Sequence, residues 1–261
     1  MASFPRNFQL CGRLRMKYFL RIVLSFSICL FIHISSFAVT TVPFQEDFAS
    51  DSELWTNFNN SALLSFNAAG GPDGSSYASG SFNFLNSVFG DQGPVVFRGE
   101  TTPGGPASGG NFFGNWIADG VREFSVFVRH DSPVPLTFFT RFADSVNFPG
   151  ATSVQFAPVL GNTWTELNFS ITPSSPNFVT FEGESFATVF DNIGRMQIGV
   201  SIPAGLAGVD QNITFDLDQV AIKTPEPTTL LLSCLGALLG LSRRSKFAGN
   251  FLSLGRRGYF E

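Results

Sequence analysis

The run Ile213-Thr214-Phe215-Asp216-Leu217-Asp218 puts an apolar residue at every second position and a polar one between. A period of two can be buried only by a strand with one face on a core and the other toward water. The same period recurs through the chain. Phe124, Val126 and Val128 share a face, as do Leu136, Phe138, Thr140 and Phe142, then Leu167, Phe169 and Ile171, then Met196, Ile198, Val200 and Ile202. Turn residues punctuate these runs at Asn59-Asn60, 70–74, 90–94, 103–110, 131–135, Pro149-Gly150, Gly161-Asn162 and 173–177. Residues 39–223 show no apolar period of 3.6 with caps and no fixed repeat. The pattern predicts an all-β domain, an antiparallel β-sandwich of jelly-roll type. The Gly-rich stretch 101–115 reads as a long loop within that one domain, because strands continue on both sides.

Cysteine and charge divide the chain the same way. Cys11, Cys29 and Cys234 all lie outside residues 39–223, so no disulfide or thiolate site supports the body. Its core must come from burial, and 32 Phe against 3 Tyr and 3 Trp supply it. Residues 1–38 carry five Lys/Arg and no acid, whereas residues 39–224 carry six Lys/Arg and eighteen Asp/Glu, a net of -12. A body this acidic argues against nucleic acid as a partner, since phosphate contacts need clustered cations.

The N-terminal segment is basic to Arg21, apolar over residues 22–37 and closed by Ser36-Phe37-Ala38. This is the order of a secretory signal peptide, with signal peptidase expected to cut after Ala38 and either Met1 or Met16 as the start. The C-terminal segment has three parts. Pro225-Glu226-Pro227 holds the chain extended and blocks a helix before Thr228. Residues 229–241 are apolar and uncharged, and as a helix they would reach roughly 20 Å, short for a membrane span. Arg243, Arg244 and Lys246 follow as a basic stop, which the positive-inside rule keeps cytoplasmic. Residues 39–223 then lie across the membrane, and 247–261 form a cytoplasmic tail.

This tripartite order resembles the PEP-CTERM sorting signal over residues 224–246. The resemblance implies recognition by an exosortase that cuts near Pro225, Glu226 and Pro227, a transient membrane anchor, and a Gram-negative bacterium that makes exopolysaccharide. Members of that family usually end soon after the basic cluster, whereas this chain continues to Glu261.

Within the body, the opening F-Q-E-D-F-A-S-D-S-E-L-W (44–55), the segment W-T-E-L-N-F-S-I from Trp164, and the closing I-T-F-D-L-D-Q-V-A-I (213–222) resemble carbohydrate-binding modules of the galactose-binding-like kind. The resemblance implies neighbouring first and last strands whose carboxylates, here Glu46, Asp47, Asp216 and Asp218, hold a structural Ca²⁺. The other reading of these four is as solvent-facing acids on strand edges.

Catalytic sets are poorly supplied. His130 is the body's one histidine and reads as a surface residue, and Glu182 and Glu184 are two acids that share a face if they lie in a strand. No phosphate loop, dinucleotide fingerprint or nucleophile elbow occurs. Trp116, after the Gly-rich stretch, and Tyr77 are the candidate aromatic platforms for a sugar. The function expected is that of a non-catalytic secreted protein of a polysaccharide matrix. The alternatives are an adhesion or structural protein without a sugar site and, less favoured, a secreted hydrolase.

Overall fold

The computed structural model describes residues 41–90 and 92–224. The signal segment, Ala38, the Pro225-Glu226-Pro227 motif, the basic stop and the tail lie outside the described residues. Thirteen strands run in chain order: β1 Phe44–Glu46, β2 Ser65–Asn67, β3 Tyr77–Asn83, β4 Gln92–Gly99, β5 Thr101–Thr102, β6 Gly105–Pro106, β7 Glu123–His130, β8 Phe138–Ala143, β9 Gly150–Val154, β10 Thr165–Ser170, β11 Phe178–Thr180, β12 Arg195–Ser201 and β13 Asn212–Lys223. They form an antiparallel β-sandwich. The first sheet runs β10-β7-β13-β3-β2, with β1 also on β13, and the second runs β11-β9-β8-β12-β4.

Strand β13 organises the first sheet. β7 pairs along one side of it, while β3 (Leu217↔Ala78) and then β1 (Phe44↔Ile222) share the other. The first and last strands are therefore neighbours. Gln219 has a φ of 47° and forms a bulge between Asp218 and Ala221. The bulge resets the parity, so that Ile213, Phe215 and Leu217 face inward before it and Val220 and Ile222 after it, all buried.

The core between the sheets is largely phenylalanine. Phe124, Phe138, Phe142, Phe169 and Phe215 are fully buried. Phe124 meets Phe142 edge-on at 5.1 Å, and Phe138 meets Phe215 at 6.3 Å, geometries that bring ring edges onto ring faces. The F-Q-E-D-F…W opening completes one end of this core. Phe48 and Trp55 are buried, Trp55 Nε1 donates to Ser108 Oγ at 2.9 Å, and the Glu46 carboxylate accepts from the Phe48 N–H at 2.9 Å.

Three local features depart from the pattern read in the sequence. The Gly-rich stretch is built rather than open, with β5 paired to β6 (Thr101↔Pro106) and followed by a 3-10 turn over Ala107–Gly110 that buries Ala107 and Ser108. One short helix, α1 Phe186–Phe190, interrupts the strands, because Ser185 Oγ caps the Thr188 N–H at 3.0 Å and Val189 and Phe190 fill the core. Asp216 and Asp218 do project from the outer face of β13, but they are buried there, Asp216 under Arg129, whose Nε binds it, and Asp218 under residues 68–76, which fold back over it. They are not solvent-facing acids.

Candidate functional site: a cleft on the outer face of the first sheet

The parity that sends Phe124, Val126, Val128 and Leu167 inward sends Arg129 and Trp164 outward. Register puts Arg129 opposite Asp216 and Asp216 opposite Ser79. Thr165 opposite Val128 places Trp164 beside Arg129. The loop joining β2 to β3 forms one wall. The Gly70 carbonyl accepts from Trp164 Nε1 at 2.9 Å and from Arg129 Nη1 at 3.3 Å, while Ser75 Oγ donates to Asp218 Oδ2 at 3.1 Å. Gly71 is required there, since a Cβ would stand 2.7 Å from Asp218 Oδ2. The result is a cleft of about 350 Å³ lined by Asn67, Tyr77, Ser79, Arg129, His130, Asp131, Asn162, Thr214 and Asp216.

Arg129 sits at the centre of the wall. Its guanidinium carbon is 4.6 Å from the Trp164 ring centre and 5.1 Å from that of Tyr77, and the two rings meet edge to face at 5.5 Å. Nε donates to Asp216 Oδ2 at 2.7 Å. Burial still holds the Asp216 carboxyl above its ordinary range, with Asp131 adding like charge and Arg129 acting against both. Asp131 Oδ1 accepts from the Thr214 N–H at 2.8 Å. His130 is buried, not a surface residue, because its ring packs against Phe138 and Phe215 in the core. Its Nδ1 accepts from the Ser132 N–H at 3.2 Å, so Nε2 carries the proton and donates to the Val159 carbonyl at 3.1 Å. Burial keeps it neutral by lowering its pKa. Both nitrogens are occupied, so His130 shapes the cleft and offers it no base.

The expected site residues separate. Tyr77 lines the cleft. Trp116 is not a platform: it is fully buried between Phe142 and Phe190, and its Nε1 donates to the Phe112 carbonyl at 2.7 Å, which lets the whole indole leave water. Glu182 does not form an acid pair with Glu184. It binds Arg141 through both carboxylate oxygens, at 2.5 and 2.8 Å. The four acids of the first and last strands have separate partners. Glu46 is tied to Phe48 and Asp216 to Arg129, and exposed Asp47 accepts from Gln45 Nε2 at 2.6 Å. Asp218 accepts from Ser75 and from the Gln219 N–H. Burial pushes its carboxyl up to about 6, with Asp47 and Asp73 adding negative charge nearby. Among the described residues, no group of three or more His, Cys, Asp or Glu is placed to hold a metal ion.

Trp164, Arg129, Asn67 and Asn162 were not singled out from sequence. Trp164 shares the outward parity of Glu166 and Asn168, and that was the available signal.

The first sheet ends where β13 ends, at Lys223, whose carbonyl accepts from the Arg122 N–H at 2.9 Å. A known pattern begins at that residue. Residues 223–246 carry the PEP-CTERM protein-sorting motif. The PEP-CTERM segment implies recognition by an exosortase, export and C-terminal processing. No helix among the described residues is long and apolar enough to cross a membrane.

The body that precedes this motif is similar to several solved structures. One is the Clostridium thermocellum endo-1,4-β-D-xylanase 10B, as its CBM22-1 and GH10 modules complexed with xylohexaose (16% identity, 70% of this chain and 28% of that one, TM-score 0.42). Another is the C-terminal family 22 carbohydrate-binding module of the same xylanase (12% identity, 70% and 94%, TM-score 0.39). A third is an exo-β-agarase (9% identity, 72% and 26%, TM-score 0.47). The chain thus spans about a quarter of the xylanase and agarase chains it resembles. No curated protein matches it.

Proposed function

We propose that this is an exported, exosortase-processed, non-catalytic protein of an extracellular polysaccharide matrix, and that its sandwich binds glycan in the cleft at Tyr77 and Arg129, beside Trp164. The observation that carries this reading is the arrangement of Tyr77 and Trp164 about Arg129, rimmed by the amides of Asn67 and Asn162, the hydroxyls of Ser79 and Thr214, and the carboxylates of Asp131 and Asp216. Sugars present C–H faces that pack on aromatic rings and hydroxyls that donate to carboxylates and accept from amides. A cleft that combines both kinds of group suits such a ligand. The signal peptide and the apolar run after Pro227 fit delivery across a membrane, transient anchoring and release.

Retardation of the exported protein in gels containing dissolved polysaccharide tests the reading, with Trp164→Ala expected to weaken it about tenfold. A scaffold or adhesion protein without a sugar site would migrate unretarded in every gel. A hydrolase would release reducing ends, which this reading does not expect. Processing has its own test. Mass spectrometry of the exported protein should find a C-terminus near Pro225-Glu226-Pro227, and a mature chain still carrying Leu230 to Lys246 would exclude it.

A further inference from the structure

The charges and the span of the same cleft point further, to the class of glycan. We infer that it takes a short internal stretch of an uncharged linear glycan and excludes acidic ones, an inference that rests on the sugar-binding reading.

The charge argument starts from the cations. Arg129 is the one Lys or Arg among the residues that line the cleft. Its Nε is committed to Asp216 and its Nη1 to the Gly70 carbonyl, with the guanidinium packed on Trp164 and Tyr77. Its charge is thereby balanced within the wall. His130 is neutral and fully bonded. Asp131 stands as a second carboxylate, with Oδ1 on the Thr214 N–H. The lining therefore sums to one negative charge, set in a body of net -12. A uronate, sulfate or phosphate group entering here meets repulsion from Asp131 and Asp216 and finds its only cation already paired. Hydroxyl groups meet the opposite situation, because Asp131 and Asp216 accept from them and the Asn67 and Asn162 amides donate.

The span argument comes from the sheet. The lining residues lie on β2 (Asn67), β3 (Tyr77, Ser79), β13 (Thr214, Asp216), β7 (Arg129) and the lead-in to β10 (Asn162). Four strand spacings make roughly 19 Å, measured across the strands. That length suits several linked sugar residues lying across the sheet better than one terminal sugar.

Affinity electrophoresis of the exported protein tests this with uncharged gels (mixed-linkage β-glucan, xylan, agarose) and acidic gels (alginate, polygalacturonate) at low salt. Retardation is expected in at least one uncharged gel, reduced about tenfold by Trp164→Ala and restored in part by Trp164→Phe, with free mobility in both acidic gels. Asp216→Asn should release Arg129 and create retardation in the acidic gels. Thermal melting of each variant confirms that it is folded. Retardation by alginate or polygalacturonate that Trp164→Ala removes would overturn the inference and leave the sugar-binding reading standing. Free mobility in every gel would overturn both.

Discussion

Each outer face of the sandwich centres on an arginine, and the two faces put it to different use. On the second sheet Arg141 spends its donors on protein: both oxygens of Glu182, Oδ1 and the carbonyl of Asn147, and Gln197 Oε1 at 3.4 Å. The β8–β9 hairpin lies across that face. Asn147 also accepts from Gln197 Nε2, the Ser145 carbonyl accepts from Arg195 Nε, and Asp144 binds Asn192. Beneath it, Glu100 is 3% exposed and accepts from Arg98, Arg195 and Gln197, each at 2.8 Å. On the first sheet, the covering loop 68–76 reaches Arg129 only through the Gly70 carbonyl. It seals Asp218 and leaves Tyr77 and Arg129 lining an open cleft, with Trp164 packed against both beside it. The loop on the second sheet helps to saturate its arginine, whereas the loop on the first gives its arginine one carbonyl and leaves it facing the cleft.

Four substitutions sharpen the contrast. Trp116→Ala removes a fully buried indole and should cost about 3–5 kcal/mol in urea unfolding, with glycan affinity of the folded fraction unchanged. Loss of affinity without loss of stability would return Trp116 to the site. Glu100→Ala leaves two guanidinium groups without their carboxylate. Because Arg98 and Arg195 are partly in water, about 2–3 kcal/mol of stability should go, again with no change in binding. A neutral result there would mean the second face is not a closed network.

Asp218→Asn tests the sealed part of the first face. The folded chain keeps a proton on Asp218 up to about pH 6, whereas the unfolded chain releases it near 3.8. Asp218 therefore favours the folded state at low pH, and stability declines as pH rises through about 6. Asparagine should flatten that decline and stabilise the protein at pH 7 by on the order of 1–3 kcal/mol. An unaltered pH profile would show that Asp218 is not buried under the loop. Trp164→Ala removes the hydrogen bond to the Gly70 carbonyl and the ring contacts with Arg129 and Tyr77 from a half-buried side chain, and should cost about 1–2 kcal/mol of stability. Its effect on binding is about tenfold, or 1.4 kcal/mol.

Much of this was legible in the sequence, and the limits follow from range. Alternation in 124–128, 167–171 and 213–218 gave the strands, the sandwich and even the parity that points Trp164, Arg129 and Asp216 outward. Parity does not say what lies above a face. That Asp218 is covered depends on Ser75, 143 residues earlier in the chain, and that Asp216 is covered depends on Arg129, 87 residues earlier. Trp116 lay outside any alternating run, so nothing local distinguished an indole on the surface from one inserted between Phe142 and Phe190. The PEP-CTERM motif was legible because its meaning is local: two prolines, an apolar run and a basic stop in fixed order.

Tryptophan fluorescence tests the central claim most directly. Trp55 and Trp116 are fully buried, and Trp164 is half-buried beside the cleft against Arg129 and Tyr77, so a bound oligosaccharide has one reporter. Titration with an uncharged oligosaccharide should give a saturable change in wild type and in Trp116→Phe, and none in Trp164→Phe. A change that survives Trp164→Phe, or disappears in Trp116→Phe, would contradict the account.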